Sequence, residues 1–313
     1  MELIRGNRRF VIACHARPDG DTLGSALSLA IALRGMDKSV VVLSVDGVPD
    51  TYSFLPQSDS VVRETEERGF DVAIVTDCDG LERVGGSVEA VKSARYLISI
   101  DHHGSNPPFG HVQLYDDSSA STGEIVLELL NRLGVNPGRE IADCLMTAVV
   151  SDTGAFKFPN VTPRTFLAAA RIATAGASAS EIARLVYETK SYESTRLLGV
   201  ALTSLKSLDG GQIVSARLSK ADFESTGTTA AETEGVIDHI RAIKDVKVAL
   251  LFREAPDGSI VVSFRSKGST DVAAVAQAFG GGGHKAAAGC TIHASLEEAE
   301  RIVIEETRKC MAS

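Results

Sequence analysis

The chain has 313 residues, 44% hydrophobic and 23% charged, which is the balance of an ordinary globular protein long enough for two domains. A formal net charge of −9 excludes a broad basic surface for long nucleic acid, so any anionic ligand must be captured locally. No apolar run reaches the ~18 residues of a membrane span. Met1–Phe10 is charged rather than signal-like, so a cytoplasmic location with no membrane partner is expected.

In chain order, Phe10–Cys14, Ser39–Val45, Val72–Thr76 and Tyr96–Ile100 read as apolar strands, and Thr22–Leu33 and Glu124–Leu133 as helices. Near-continuous apolar strands separated by helices predict a parallel sheet covered on both faces. Helical patterns then follow at Ile141–Val150, Arg164–Ala175, Glu181–Thr189 and Ser194–Lys206, the last a candidate connector. Strand signals return at Gln212–Arg217, Lys247–Phe252 and Ser259–Arg265, with helices predicted over Ala230–Ile243, Val272–Ala278 and Leu296–Lys309. This is a second, smaller α/β domain. The five cysteines (Cys14, Cys78, Cys144, Cys290 and Cys310) form no C-x-x-C pair and read as reduced thiols, with Cys14 and Cys78 in strand cores.

Three strands of the first half end alike. The first runs into His15, Asp19 and Asp21; the second into Asp77 and Asp79; the third into Asp101, His102 and His103. In open α/β sheets, ligands bind at the carboxyl ends of strands. A lone aspartate there is usually a turn or helix cap. So many carboxylates at one edge repel unless cations neutralise them. Mixed carboxylate and imidazole donors suit Mn²⁺, Fe²⁺ or Zn²⁺, and their number fits two ions placed to clamp an in-line phosphoryl displacement.

A fourth piece is Ser151-Asp152-Thr153-Gly154, where an acid closes a predicted helix against its dipole, a cost that a nearby cation offsets. Lys157, just beyond, is either a phosphate contact or a solvated surface lysine. In the second half, Gly280–Gly283 followed by His284, Lys285 and an alanine run predicts a phosphate nest opening a helix, with Arg265-Ser266 ending the preceding strand.

Together, His15-x-x-x-Asp19-x-Asp21, Asp77, Asp101-His102-His103 and Ser151-Asp152-Thr153-Gly154 resemble the four motifs of the DHH phosphoesterase superfamily. Arg265-Ser266 with Gly280–His284 resembles a DHHA1 domain. Length, connector and Glu234-Gly235-Val236-Ile237 are most similar to the bacterial nanoRNase branch, which acts as oligoribonuclease and 3′-phosphoadenosine 5′-phosphate phosphatase. The resemblance implies an α/β fold, with a DHH catalytic domain over 1–190, a helical connector over 191–207 and a smaller α/β DHHA1 domain over 208–313. It also implies a cofactor of two divalent ions, Mn²⁺ foremost, with Mg²⁺, Fe²⁺ and Co²⁺ as alternatives. His15, Asp19 and Asp77 would hold one ion; Asp21, Asp77, His102 and Asp152 would hold the other. His103 would face the scissile phosphate while Asp101 fixes a neighbouring imidazole, and Asp79 would be a spare acid. Arg265, Ser266, Gly282, Gly283, His284 and Lys285 would bind the far end of the substrate. The implied partner is short single-stranded RNA or a small nucleotide rather than a long duplex, with a monomer or a homodimer both open. A phosphodiesterase for linear or cyclic dinucleotides (pGpG, pApA, cyclic-di-AMP), an inorganic pyrophosphatase, and a non-catalytic nucleotide-binding module are the competing readings.

Overall fold

A computed structural model of the chain describes residues 1–78, 80–103 and 109–312. The chain folds into two compact units, Met1–Thr189 and Lys190–Ser313. The first unit holds strands β1 (Arg9–Ala13), β2 (Ser39–Leu43), β3 (Val61–Val62), β4 (Val72–Thr76), β5 (Tyr96–Asp101) and β6 (Val112–Tyr115). Its helices are α1 (Glu2–Gly6), α2 (Gly20–Arg34), α3 (Val88–Lys92), α4 (Thr122–Leu133), α5 (Arg139–Asp152), α6 (Pro163–Thr174) and α7 (Ala179–Tyr187).

The six strands pair in the order β3-β2-β1-β4-β5-β6, every pair parallel. The direction of growth reverses between β1 and β4, and the carboxyl ends of strands at such a switch point form a crevice. Both faces are covered, which is why the strands read as continuous apolar runs. Phe10 and Ile12 point into one core with α2, α4 and α5, whereas Val11 and Ala13 point into the other.

Helix α2 is buried along most of its length, so it has no solvated polar face, and its polar residues Asp21, Thr22, Ser25 and Ser28 are buried with the rest. Gly24 permits the crossing with α5, because a Cβ there would lie 2.3 Å from the Cys144 carbonyl oxygen. Gly24→Ala is therefore expected to cost about 1–3 kcal/mol of stability through overpacking. The check is a thermal melt, with a lowered midpoint at unchanged helix content as the expected outcome.

The second unit holds α8 (Tyr192–Thr203), β7 (Lys206–Leu208), β8 (Ile213–Leu218), α9 (Lys220–Thr226), α10 (Val236–Ala242), β9 (Val248–Glu254) and β10 (Ile260–Ser266). It continues with α11 (Val272–Gln277), β11 (Gly282–His284), β12 (Ala287–Ile292) and α12 (Leu296–Ala312). The sheet order is β11-β12-β10-β9-β8-β7; β8 and β9 run parallel and the other pairs antiparallel. One face packs on α11 and α12 through Val272, Ala299 and Val303. On the other face α8 and α10 cover β8 and β9, with Leu197 and Ala201 of α8 buried in that core.

Two expectations are corrected here. The alanine run after the glycines is a strand, not a helix: Ala287–Ile292 lies between β10 and β11 and is hydrogen-bonded to both. Sheet pairing overrides the helix propensity of alanine. The glycines serve close strand approach, since a Cβ at Gly281 would sit 2.2 Å from the Gly289 carbonyl oxygen. The helix predicted over Ala230–Ile243 is likewise broken. A single 3₁₀ turn at Ala230–Thr233 precedes α10, and Gly235 between them adopts φ +81°, a left-handed conformation suited to glycine.

Candidate metal centre

The ends of β1, β4 and β5 and the last turn of α5 meet at the switch point. His15 Nε2 lies 3.6 Å from Asp77 Oδ2 and 3.9 Å from Asp19 Oδ1. His102 Nε2 lies 3.7 Å from Asp21 Oδ2, 3.6 Å from Asp77 Oδ1 and 3.3 Å from Asp152 Oδ2. Three overlapping ligand groups result among the described residues, His15/Asp19/Asp77, Asp21/His102/Asp152 and Asp77/His102/His103, each with donor atoms within 4.8 Å of one another. Asp77 reaches both imidazoles, one through each carboxylate oxygen. Asp79 lies outside the described residues.

Hydrogen bonds to the chain fix which nitrogen faces the carboxylates. His15 Nδ1 donates to the Ala16 carbonyl at 2.9 Å and His102 Nδ1 to the Ser119 carbonyl at 3.2 Å. Each neutral ring then turns an unprotonated Nε2 toward carboxylate oxygens, acceptor facing acceptor. His102 Nε2 is buried without a hydrogen-bond partner among the described residues. Two imidazole lone pairs and four carboxylates in one crevice are the donor set of borderline divalent cations, so the residues present fit such ions.

The electrostatics agree. Burial, reinforced by the charge of Asp77, pushes the Asp152 carboxyl up to about 8 and that of Asp21 well above the ordinary carboxylate range. Asp77 behaves oppositely: burial alone would raise it, but contact with His15 and the nearby His103 and His102 hold it below the ordinary value. Burial would lower His15, and its contact with Asp77 more than offsets that. Without cations, protons occupy the cluster in their place.

Several of these side chains sit on unusual backbone. Asp77 adopts φ +56°, and after Asp152 three consecutive residues, Gly154, Ala155 and Phe156, lie between φ +55° and +63°. Non-glycine residues in this region are held there by surrounding structure, and such strain concentrates at functional sites. Asp19 is both a helix cap and a member of the cluster, its Oδ1 accepting from the N–H groups of Asp21 and Thr22 at 3.0 Å each.

His103 lies at the edge of the cluster, its Nδ1 3.6 Å from Asp77 Oδ1 and its ring 4.5 Å from that of His102. Its Nδ1 is 2.8 Å from Asp101 Oδ1, and this hydrogen bond raises its pKa to about 9. Its side chain is 42% exposed, and Asp101 also accepts the backbone N–H of His102 at 2.8 Å.

Residues that sequence reasoning missed surround the ligands. The Thr122 and Gly123 backbone N–H groups, at the start of α4, donate to Asp21 at 2.7 and 3.0 Å, and Thr122 Oγ1 donates to Asp77 at 3.1 Å. Asn160 Nδ2 donates to the carbonyls of Asp152 and Ala120, both at 3.0 Å. The helix start had a usable signal in Ser121-x-x-Glu124, a capping-box pattern, with Ser121 accepting from the Glu124 N–H. Lys157 lies over the Tyr187 ring, 5.7 Å from its centroid.

In the second unit the register sets Arg265 of β10, Ala287 of β12 and His284 of β11 side by side. Directly opposed residues share a face, at about 5 Å per strand, so Arg265 and His284 flank a small alanine. The next row on that face, Ser263, Gly289 and Gly282, is also small. Ser266 is 5% exposed and its single hydroxyl proton is shared between the carbonyls of Thr270, at 2.9 Å, and Lys285, at 3.2 Å. It ties loops together instead of presenting a free donor. Lys285 is exposed.

A parallel sheet with this strand order and a carboxylate–imidazole cluster at its switch point defines a metal-dependent phosphoesterase architecture. The chain belongs to the DHH family. The model of the DHH family N-terminal domain matches residues 9–149, and that of the DHHA1 domain matches residues 210–312. It is 33% identical over 302 residues to the bifunctional oligoribonuclease and PAP phosphatase NrnA of Thermus thermophilus, covering 95% of this chain and 89% of that protein. It is 31% identical to the Bacillus subtilis enzyme of the same name, covering 96% and 94%. Among solved structures, an exopolyphosphatase-related protein from Bacteroides fragilis superposes with a TM-score of 0.93 at 26% identity, covering 98% of this chain and 94% of that one.

Proposed function

We propose that this protein hydrolyses very short oligoribonucleotides to mononucleotides and removes the 3′-phosphate of 3′-phosphoadenosine 5′-phosphate, using two divalent ions, Mn²⁺ foremost. The observation that carries the chemistry is the pair of ligand groups joined through Asp77. The substrate class rests on the activity named for the two NrnA relatives, which align over nearly the whole chain.

His15, Asp19 and Asp77 would hold one ion, and Asp21, Asp77, His102 and Asp152 the other. Bound ions supply Lewis acidity at the phosphoryl oxygen and charge that offsets the carboxylates. His103, its side chain partly exposed, would hold a proton on Nε2 while Asp101 fixes its Nδ1, an arrangement suited to orienting a phosphate and protonating a leaving oxygen. Arg265, His284 and Lys285, with Gly282 and Gly283, would bind the far end of the substrate. Ser266 would hold their loops in place.

The test is release of mononucleotides from a labelled RNA dinucleotide by the purified protein with Mn²⁺. His103→Gln is expected to lower kcat about 10²–10⁴-fold with cation affinity unchanged. An equal loss of cation affinity in that variant would make His103 a ligand instead. Rapid pyrophosphate hydrolysis without action on RNA would overturn the substrate assignment.

A further inference from the structure

The Ser119 carbonyl that fixes His102 belongs to neither helix nor strand; it lies in the turn between β6 and α4. A carbonyl in a turn orients an imidazole only if the turn itself is held; Asn160 holds it at the Ala120 carbonyl, and the Asp116 side chain holds it at Ser118 and Ser119. The Asp116 carboxylate accepts the Ser118 N–H at 3.0 Å and the hydroxyls of Ser118 and Ser119 at 2.5 and 3.1 Å. The Asp116 carbonyl accepts the Ser119 N–H at 3.1 Å, and the Asp116 N–H donates to the Asp101 carbonyl, one residue before His102. Both ends of the His102 environment therefore run through Asp116.

Asp116 is anchored from outside. Arg164, in the first turn of α6, bonds its carboxylate through Nη1, and the Arg164 Nε lies 3.6 Å from Glu124 in the first turn of α4. The Glu124 side chain is 1% exposed. One guanidinium thus links the turn to the helix whose first N–H groups hold Asp21.

We propose that Asp116 and Arg164 are positioning residues for His102, holding the Ser119 carbonyl that keeps the ring proton on Nδ1 and thereby setting the affinity of the Asp21/His102/Asp152 cation position. If the turn relaxes, the neutral ring is free to carry its proton on Nε2, where it would point at the three carboxylates and block a cation. Neither residue belongs to the candidate ligand groups. Nothing in their sequence context singles them out, because the contact that matters is to a backbone carbonyl three residues from Asp116. The proposal rests on His102 being a ligand, which the experiment checks separately.

The variants are Asp116→Ala, Asp116→Asn, Arg164→Gln and Arg164→Lys, with His102→Gln to assign the His102 signals. Nitrogen-15 NMR of the metal-free protein reads the His102 tautomer, calorimetry with Mn²⁺ reads affinity, and thermal melts report folding. Loss of the Nδ1–H form and a fall of about 10–100-fold in cation affinity are expected, in an Arg164→Gln protein that still melts cooperatively though at a lower temperature, because the buried Glu124 loses its cation, and with partial recovery in Arg164→Lys. Should Asp116→Ala fail to fold, Asp116→Asn and Arg164→Gln carry the same readings. Wild-type tautomer and affinity in folded Asp116→Asn and Arg164→Gln would overturn the proposal alone. Unchanged affinity in His102→Gln would overturn the ligand reading, and the proposal with it.

Discussion

Asp77→Asn is expected to abolish metal-dependent turnover, by at least about 10³-fold in kcat at saturating Mn²⁺. Asp77 is the one carboxylate within 4 Å of both His15 and His102, and among the cluster acids its pKa is pushed down rather than up. It thus supplies fixed negative charge to both ligand groups. Lewis-acid stabilisation of a phosphoryl transition state is worth several kcal/mol, and losing ~4 kcal/mol is about a thousandfold at 1.36 kcal/mol per tenfold. Asparagine is the discriminating replacement. It tolerates the left-handed backbone at φ +56°, and its side-chain oxygen still accepts from Thr122 Oγ1 as Asp77 does. The fold should survive, with thermal melts of the metal-free variant showing a modest loss of stability, because the contacts that hold the Asp77 carboxyl below its ordinary value favour the charge that asparagine removes. Turnover within tenfold of the wild type in the folded variant would refute the shared-ligand role.

The legible part of this centre is its local part. A strand that runs into an aspartate or histidine announces a ligand candidate within a few residues, so His15, Asp77 and His102 could be singled out from hydrophobic pattern alone. Asp152 was readable because an acid at a helix C-terminus opposes the dipole. The surrounding frame was not readable in this way. Thr122 and Gly123 act through backbone N–H groups, and Ser119 through a carbonyl. Any residue type offers those groups, so the role depends on where the chain returns and not on what it is made of. Asn160 reaches the Asp152 carbonyl and, across 40 residues, that of Ala120. In the second unit, composition misled: alanines after glycines suggest a helix start, but Ala287–Ile292 has partners on both sides that only the fold supplies. Dihedral strain at Asp77 and over Gly154–Phe156 has no sequence signature outside glycine, yet it marks two of the ligand-bearing turns.

Cation binding should compete with protons, and the pH dependence should be steep. In the metal-free protein Asp152 holds its proton up to about 8, Asp21 titrates well above the ordinary carboxylate range and His15 is raised. A ligand must release its proton to bind. Each proton displaced changes the apparent affinity tenfold per pH unit. One to two protons displaced predict a weakening of about 10²–10⁴-fold between pH 8 and 6. Calorimetry in buffers of different ionisation enthalpy counts those protons directly, and a pH-independent affinity would contradict the cluster as described. The same shift gives the stability of the metal-free chain a definite sign. Asp152 loses its proton near 3.8 when unfolded and at about 8 when folded, so between those values the folded state holds more protons than the unfolded one. Stability contributed by that group is complete below 3.8 and is lost as pH rises through about 8. Chelation should therefore lower the melting temperature most at alkaline pH and least near pH 5. Added Mn²⁺ should reverse the trend, because the cation then does at pH 8 what the protons do at pH 5.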